Sequence, residues 1–258
     1  MGIRVFSTII ITAFTAIAGL SPAPTYADDT ACQIDQGRCA LDILEHEAQK
    51  IENTSWRDQT YRELAKLLVS EGLENEALAV LPKIETPDTV ALTIRGIGVA
   101  AAEMKFDARW TEARYEALFT ALRSAAEKIE HPPSYAIALT YIAMGQAFAG
   151  NNDGAWATAA DMENDSLRHK AYGETAEIQA ENGDASAAMK SIAFIDSLAY
   201  RNKAYVTISK ILADQKNYQE AFQAAIKVDN PYKKAQSIQY LMNVRRHYDL
   251  KDHLENKE

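Results

Sequence analysis

The chain has 258 residues, and its 27 Lys and Arg residues against 36 Asp and Glu residues give a formal charge of −9. An acidic chain repels the phosphate backbone of nucleic acids, so this balance argues against general nucleic-acid binding. The apolar share of 47% is ample for a hydrophobic core, and the length suits one elongated domain or two small ones.

The first 27 residues have the pattern of a secretory signal peptide. Arg4 supplies a positive charge, residues 5–20 are largely apolar, and a small-residue ending at Ala27 precedes two aspartates. We predict cleavage after Ala27 and a periplasmic or secreted mature chain, residues 28–258. The alternative is an uncleaved anchor, although about sixteen apolar residues are fewer than the roughly twenty that span a bilayer. No later stretch has the length and apolar character of a membrane span.

The two cysteines, Cys32 and Cys39, lie directly after the predicted leader. In an oxidising compartment such a close pair predicts a disulfide that closes a small loop. A redox or metal site is the alternative, but the six-residue gap differs from the spacing of zinc ligands. Residues 40–52 have apolar residues at helical spacing and are predicted to cap the N-terminal end of the fold. The segment 28–54 therefore holds a loop and a capping helix.

A pattern recurs through the rest of the chain, mostly at a constant 33-residue spacing that we call the repeat interval. The small residues that begin the pattern are Ala65, Gly98, Ala143, Ala176 and Ser209. Turn residues or lysines follow seven positions later, at Gly72, Lys105, Gly150, Gly183 and Lys216. Further recurring positions follow at offsets of twelve (Ala77, Trp110, Ala155, Ala188, Ala221) and nineteen (Ile84, Ala117, Met162, Ile195, Val228). Between Gly98 and Ala143 the interval is 45.

The physical meaning of this pattern is a pair of antiparallel helices joined by a turn. A small residue lets neighbouring helix backbones approach closely, and a glycine permits the left-handed conformation in which many helices end. One pair cannot bury both of its apolar faces, so consecutive pairs are expected to stack around a shared core. Strand-like alternation is nearly absent. A helical bundle without repeats is the alternative.

At these positions the chain resembles the tetratricopeptide repeat family. The triplets Ala65/Gly72/Ala77, Ala143/Gly150/Ala155 and Ala176/Gly183/Ala188 match that family's offsets. The early tryptophan of the family is missing, and its late alanine is replaced by larger residues. The resemblance implies an all-α fold, a right-handed α-solenoid of antiparallel helix pairs. The implied five pairs are residues 55–86, 88–133, 134–165, 166–198 and 199–231.

The second pair and the C-terminus depart from the regular pattern. The 12 extra residues of the second pair predict a long helix over residues 108–130, which ends at His131-Pro132-Pro133. Residues 232–258 are predicted to form a capping helix, over 233–249, and a tail.

In the family that the chain resembles, the first helices usually line the concave face. On these helices lie six basic residues that would form a stripe in an otherwise acidic molecule: Arg62, Lys66, Arg95, Lys170, Lys203 and Lys210. Such a stripe could receive an acidic peptide or a C-terminal carboxylate. An ordinary charged surface, with weak Lys–Glu pairs, is the alternative.

No catalytic motif is present in the sequence, and the five histidines are scattered. We therefore predict a protein that is not an enzyme, with no cofactor and no metal. The first hypothesis is an exported interaction scaffold that binds a partner protein or peptide in its groove. The second is an assembly subunit of a cell-envelope complex that uses the helix 108–130. The third is an envelope enzyme, such as a cell-wall hydrolase, on a helical scaffold.

Overall fold

The computed structural model describes Cys32 and residues 37–255, with side chains described as far as residue 248. Within these residues the chain is all-α, as predicted, with two short 3₁₀ turns at Leu81–Lys83 and Met104–Phe106 and no β-strand. The predicted signal peptide, residues 1–27, lies outside them. The helices are α1 (Gly37–Lys50), α2 (Thr54–Ser70), α3 (Glu74–Val80), α4 (Pro87–Glu103), α5 (Glu112–Ala126), α6 (Pro132–Phe148), α7 (Asn152–Ala160), α8 (Asp165–Glu181), α9 (Ala185–Ala193), α10 (Leu198–Asp214), α11 (Tyr218–Ile226) and α12 (Pro231–Glu255).

The helices alternate between long and short. Helices α2, α4, α6, α8 and α10 are each 17 residues long, and their starts are one repeat interval apart, except for a longer interval between α4 and α6. Each of these long helices packs against the next, and α10 packs against α12. The shorter helices α3, α7, α9 and α11 pack on the long helix that precedes them. The described residues therefore form a row of helix pairs, joined through their first helices.

The small residues of the recurring pattern are buried in the first helices. Ala65, Ala143 and Ala176 have no exposed surface, and Ser209 is 2% exposed. A larger side chain at these positions would push the neighbouring helix backbones apart, because the protein interior is close-packed. The burial of these residues agrees with the expectation that small side chains let neighbouring helices approach closely.

Four of the first helices end in the same left-handed turn. The φ angles are 78° at Gly72, 82° at Gly150, 81° at Gly183 and 65° at Lys216. In each turn this residue donates its N–H to the carbonyl three residues earlier, and the next residue donates to the carbonyl five residues earlier. This is the Schellman motif. Lys105, predicted as the fifth turn residue, lies instead in the 3₁₀ turn after α4.

Two glycine-to-alanine substitutions test this turn. Gly183→Ala is expected to lower the free energy of unfolding by about 1 kcal/mol, because alanine is strained at positive φ. Gly173→Ala, in the interior of α8, is expected to raise it by about 0.5–1 kcal/mol through helix propensity. A Cβ at either position would meet no atom within 4 Å, so only the backbone differs between the two variants. Urea denaturation of both measures the effect, and changes of the same sign would contradict the assignment.

The prediction of one long helix over residues 108–130 is wrong. Helix α5 covers Glu112–Ala126, and residues 104–111 connect it to α4. The side chain of Asp107 accepts the backbone N–H of Arg109, and Thr111 caps α5 by accepting the N–H of Arg114. Both contacts favour a turn over a continued helix. The second pair has 12 more residues than the pair α6–α7. Five of them lie in the connection before α5, six in α5 itself and one in the connection after α5.

The regular spacing resumes inside α5. Arg123 donates to Thr158 on α7 and, one repeat interval further on, Trp156 donates to Ser191 on α9. By this correspondence Leu122 and Ile129 take the positions at offsets of twelve and nineteen in the second pair. The spacing had predicted Trp110 and Ala117 there; Ala117 is exposed, so that part of the prediction is wrong.

The two ends of the row differ slightly from the predicted bounds. Helix α1 covers residues 37–50 rather than 40–52, and α12 covers 231–255 rather than 233–249. In α12, Arg245 and Arg246 stand one repeat interval after Leu212 and Ala213, which are fully buried in α10. Charged residues thus replace core residues on the side of α12 where no further pair follows within the described chain.

Candidate functional site

A cavity of about 430 Å³ lies between α2 and α4. Three of the six predicted site residues, Arg62, Lys66 and Arg95, line this groove. They meet because α2 and α4 pack side by side and begin one repeat interval apart, which sets Arg62 and Arg95 at the same position on neighbouring helices. We call this cavity the α2–α4 groove.

The groove also has apolar walls, which sequence reasoning missed. Leu67, Leu92 and Val99 line it, and Leu67 is 48% exposed. Gly96 lies under the side chain of Lys66: a Cβ there would be 2.8 Å from the lysine Cγ. The glycine therefore allows the aliphatic part of Lys66 to cross α4 closely. Leu92 and Val99 stand three and four residues from Arg95, about one helix turn, which was their signal in the sequence. Leu67 and Gly96 directly follow Lys66 and Arg95 and carried no such signal.

The cations of the α2–α4 groove are partly neutralised by the protein itself. Glu63 accepts hydrogen bonds from Nζ of Lys66 at 2.6 Å and from Nε of Arg62 at 3.1 Å. The hydrogen bond from Lys66, followed by that from Arg62, holds the pKa of Glu63 below its usual value despite partial burial. Arg95 is exposed, with its guanidinium carbon 5.3 Å from the ring centre of Tyr141 on α6. Arg95 is thus the cation most available to a ligand.

The other three predicted site residues lie elsewhere along the row. Lys170 and Lys203 line a small cavity of about 30 Å³ between α8 and α10. Nζ of Lys210 is 5.5 Å from the ring centre of Tyr240 on α12. The six basic residues therefore divide into three in a groove of ligand size, two at a small cavity and one beside α12.

The small cavity between α8 and α10 contains a carboxylate that the sequence did not single out. Burial is the main cause that raises the pKa of Glu177, and the negative charge of Glu174 raises it further, against the opposing charge of Lys203. A raised carboxylate pKa in a cleft is one mark of acid–base sites. A cavity of this volume has room for about one or two water molecules, which is far below the size of a saccharide or peptide substrate.

A second large cavity, of about 460 Å³, lies between α3 and α5. None of the six predicted site residues lines it, but the second hypothesis placed a contact on residues 108–130, and Ala125, Lys128, Ile129 and Glu130 of that range line this cavity. Its walls are mainly apolar: Leu78, Leu81, Pro82, Ile84, Pro87, Val90, Ala125 and Ile129. The only sequence signal was the 12-residue enlargement of the second pair, which changes the residues that face α3.

The remaining predictions about chemistry concern the disulfide, metals and membranes. Cys32 and Cys39 form the predicted disulfide, with their Cα atoms 5.8 Å apart. Among the residues that the structure describes, no group of three or more His, Cys, Asp or Glu side chains could hold a metal ion. In the same part of the chain, none of the helices combines the length and apolar character of a membrane span.

Comparison with known proteins adds little to this geometry. No family model matches the chain, and no curated protein matches it. Among solved structures, Ton1535 from Thermococcus onnurineus NA1 is similar, with 20% sequence identity and a TM-score of 0.40. The match covers 74% of this chain and 59% of Ton1535, so the chain spans about three fifths of that protein's length.

Proposed function

We propose that this chain is an exported interaction scaffold that binds a partner protein or peptide in the α2–α4 groove. We further propose that its helix pairs form a right-handed solenoid of the tetratricopeptide type. The equal length of the five first helices, their recurrence at the repeat interval and the shared Schellman turns support the repeat architecture. The leader pattern in residues 1–27 and the disulfide support export, since disulfides persist mainly in oxidising compartments.

The observation that carries the binding proposal is the combination of charge and apolar surface in one groove. Arg62, Lys66 and Arg95 face the same space as Leu67 and Val99, in a cavity of about 430 Å³. Pockets that bind ligands are typically apolar, with a few polar groups that orient the ligand. The groove is more polar than such a pocket, since five of its eleven lining residues are charged, but it likewise places apolar side chains beside charged groups. An isolated surface ion pair, by contrast, contributes little to stability or binding.

The groove favours a peptide segment with an acidic residue beside an apolar one. A carboxylate would pair with the exposed guanidinium of Arg95, and arginine can bind carboxylates through two parallel hydrogen bonds. An apolar side chain of the same segment would cover Leu67 and Val99. Burial of such a side chain is worth about 1.5–3 kcal/mol, so the apolar wall supplies affinity and the cations supply orientation.

Charge reversal in the groove tests this proposal. Peptides would be selected against the mature chain from a random library with one fixed Asp or Glu. Arg62→Glu/Arg95→Glu is expected to weaken binding at least about tenfold, because each removed ion pair is replaced by repulsion. Fluorescence anisotropy of the selected peptides measures the dissociation constant.

The matched control is Lys170→Glu/Lys203→Glu, which reverses the same number of charges at the small cavity between α8 and α10. It is expected to change the affinity less than about twofold at 0.15 M salt, where exposed charges beyond roughly 8 Å are screened. Equal loss in both double variants would mean that net charge, rather than the α2–α4 groove, controls binding. Selection of no peptide at all would contradict the proposal.

A further inference from the structure

The cavity between α3 and α5 lies at a position that recurs between consecutive second helices. At two other places in the row, the protein fills this position with its own side chains. At the boundary between α7 and α9, the indole of Trp156 fills this position. Its Nε1 donates to Oγ of Ser191 at 2.7 Å, and its ring centre is 5.9 Å from that of Phe194. Nζ of Lys190 lies 3.7 Å from the same indole centre. An aromatic ring therefore packs well between two consecutive second helices.

At the boundary between α5 and α7, an arginine fills the equivalent position. Arg123 stands one repeat interval before Trp156 and donates to Oγ1 of Thr158 at 3.3 Å and to Oδ2 of Asp161 at 2.5 Å. Two adjacent boundaries are thus closed by one long side chain that spans the gap and hydrogen-bonds to a hydroxyl on the facing helix.

At the boundary between α3 and α5, these contacts are missing. Leu78 stands 45 residues before Arg123, which is the longer interval of the enlarged pair, so it takes the position of Arg123. Ala125 stands one repeat interval before Thr158, so it takes the position of Thr158 and Ser191. Leu78 is shorter than either an arginine or an indole, and Ala125 has no hydroxyl. Both residues line the cavity. The cavity thus exists because short apolar side chains stand where long ones close the next two boundaries.

A second replacement widens the same cavity. In three other first helices an arginine donates to the carbonyl six residues earlier: Arg57 to Ile51 at 3.4 Å, Arg168 to Met162 at 2.8 Å and Arg201 to Ile195 at 3.2 Å. In α4 the corresponding residue is Val90, and the corresponding carbonyl belongs to Ile84. Both Val90 and Ile84 line the cavity. A carbonyl that elsewhere accepts a hydrogen bond is here beside an apolar side chain.

We infer that the cleft between α3 and α5 binds a small apolar molecule with an aromatic ring system. Its volume of about 460 Å³ lies within the roughly 300–1,000 Å³ of typical ligand pockets. The indole of Trp156 shows that such a ring fits between second helices of this protein. Three charged residues, Glu85, Lys128 and Glu130, complete the lining of the cleft. Of these, Lys128 supplies a cation for the face of a bound ring, the kind of contact that Lys190 makes with Trp156.

The walls of the cleft are suited to bind without rearrangement. Pro82 lies in the 3₁₀ turn after α3, and Pro87 is the first residue of α4. The fixed φ of proline limits the backbone movement of both walls. Leu81 and Ile84 are 4% and 6% exposed, so their side chains are held by the core. A preformed apolar pocket costs little conformational entropy when a ligand enters.

Indole itself is the first probe, used with the full mature chain. Isothermal titration calorimetry is expected to show saturable binding of indole. In methyl NMR spectra of isoleucine-labelled protein, the signals of Ile84 and Ile129 should shift on titration, while that of Ile195 should not. Ile195 occupies the same recurring position as Ile84 and is fully buried, so it serves as the internal control.

Two variants that fill the cleft decide the assignment. Leu78→Trp/Ala125→Ser copies the Trp156–Ser191 pair, and Val90→Arg copies Arg168. Each is expected to weaken indole binding at least about tenfold. The control is Met189→Trp, which adds an indole at the boundary between α9 and α11 and should leave binding unchanged.

The inference is overturned if the wild-type chain shows no saturable binding. It is equally overturned if a filled variant with a native circular dichroism spectrum binds indole as the wild type does. Should the double variant fail to fold, Val90→Arg and the methyl shifts of Ile84 and Ile129 decide the question independently.

Discussion

Replacing Phe119 by alanine is expected to lower the free energy of unfolding by about 3–5 kcal/mol, the usual cost of deleting a buried phenylalanine ring. Phe119 is 1% exposed and is among the largest fully buried side chains of the described residues. Its ring lies against α6, where a Cβ built on Gly145 would be 2.8 Å from its Cε1 atom. It therefore connects the enlarged second pair to the first helix of the third pair.

Guanidinium chloride denaturation, followed by circular dichroism, measures this loss. The control is Phe106→Ala, in the connection between α4 and α5, where the side chain is 91% exposed. Its substitution is expected to change the free energy of unfolding by less than about 0.5 kcal/mol. Equal effects from the two variants would contradict the placement of α5.

The contact between Phe119 and Gly145 can be tested from the other side. Gly145→Ala adds a methyl group that overlaps the ring, whereas a Cβ at Gly98 would lie 3.6 Å from the same Cε1 atom, an ordinary contact distance. Overpacking of this kind costs about 1–3 kcal/mol. Gly145→Ala should therefore be destabilising in wild-type protein and better tolerated in the Phe119→Ala background.

Replacing Arg114 by alanine is expected to lower the free energy of unfolding by about 2–3 kcal/mol, as hydrogen bonds to charged groups are among the stronger ones. Arg114 binds Glu74 through two hydrogen bonds of 2.7 and 2.6 Å, and also donates to the carbonyl of Gly72 at 3.0 Å. Its guanidinium carbon is 4.4 Å from the ring centre of Trp110. The side chains of Arg114 and Glu74 are 23% and 17% exposed, so solvent screens the pair only partly.

This ion pair also predicts a pH dependence. The hydrogen bond from Arg114 is the main cause that lowers the pKa of Glu74 in the folded chain. A lowered carboxylate pKa stabilises the fold above the unfolded pKa, about 4.3, and this contribution is lost as the pH falls through the folded pKa. The difference in stability between wild type and Arg114→Ala should therefore be full at pH 7 and shrink below about pH 4.3. Thermal denaturation at several pH values measures it.

The matched control is Arg109→Ala. Arg109 pairs with Asp107, whose pKa is lowered to about 2 by the hydrogen bonds from the side chain and backbone of Arg109. This pair is solvent-exposed, since the Arg109 side chain is 67% exposed. We expect no measurable change in stability at pH 7, because exposed pairs are largely screened. A pH-independent difference between wild type and Arg114→Ala would contradict the role of Glu74.

The regular part of the fold followed from the sequence because its determinants are local. Gly72, Gly150 and Gly183 were predicted to end helices, and each has the positive φ that favours glycine. The apolar spacing that predicted helices also identified core residues such as Ile208, which has no exposed surface. These features depend on the conformation of a few consecutive residues, so the pattern along the chain is sufficient to find them.

The enlarged pair was mispredicted because its determinants are not local. Trp110 has a recurring offset and is 6% exposed, which agrees with a core position. However, the ring contacts that the structure gives it lie within its own pair: the ring centre of Tyr115 is 5.0 Å away, and the guanidinium carbon of Arg114 is 4.4 Å away. Only the contact between Arg123 and Thr158 shows where the regular spacing resumes.

The candidate sites show the same division. The sequence identified Arg62, Lys66 and Arg95 as candidates together with Lys170, Lys203 and Lys210, but could not divide them into groups. That grouping depends on which helices are neighbours and on how much space their side chains leave between the helices. For the cleft between α3 and α5, the enlargement of the second pair was the only signal in the sequence, since short apolar residues such as Leu78 and Val90 are ordinary core residues until the facing helix is known.

The sequence alone determined the helical class, the repeat interval, four of the five turn positions and the disulfide pair, as well as the expectation of an exported chain. Tertiary structure alone decided the bounds of α5, the position at which the spacing resumes, the burial of Glu177 and the two cavities of ligand size. The physical reason is the distance along the sequence between the residues that determine each feature. Helix formation and turn geometry are set within one or two helical turns, whereas burial, cavity volume and the grouping of charges depend on residues brought together from distant positions in the chain.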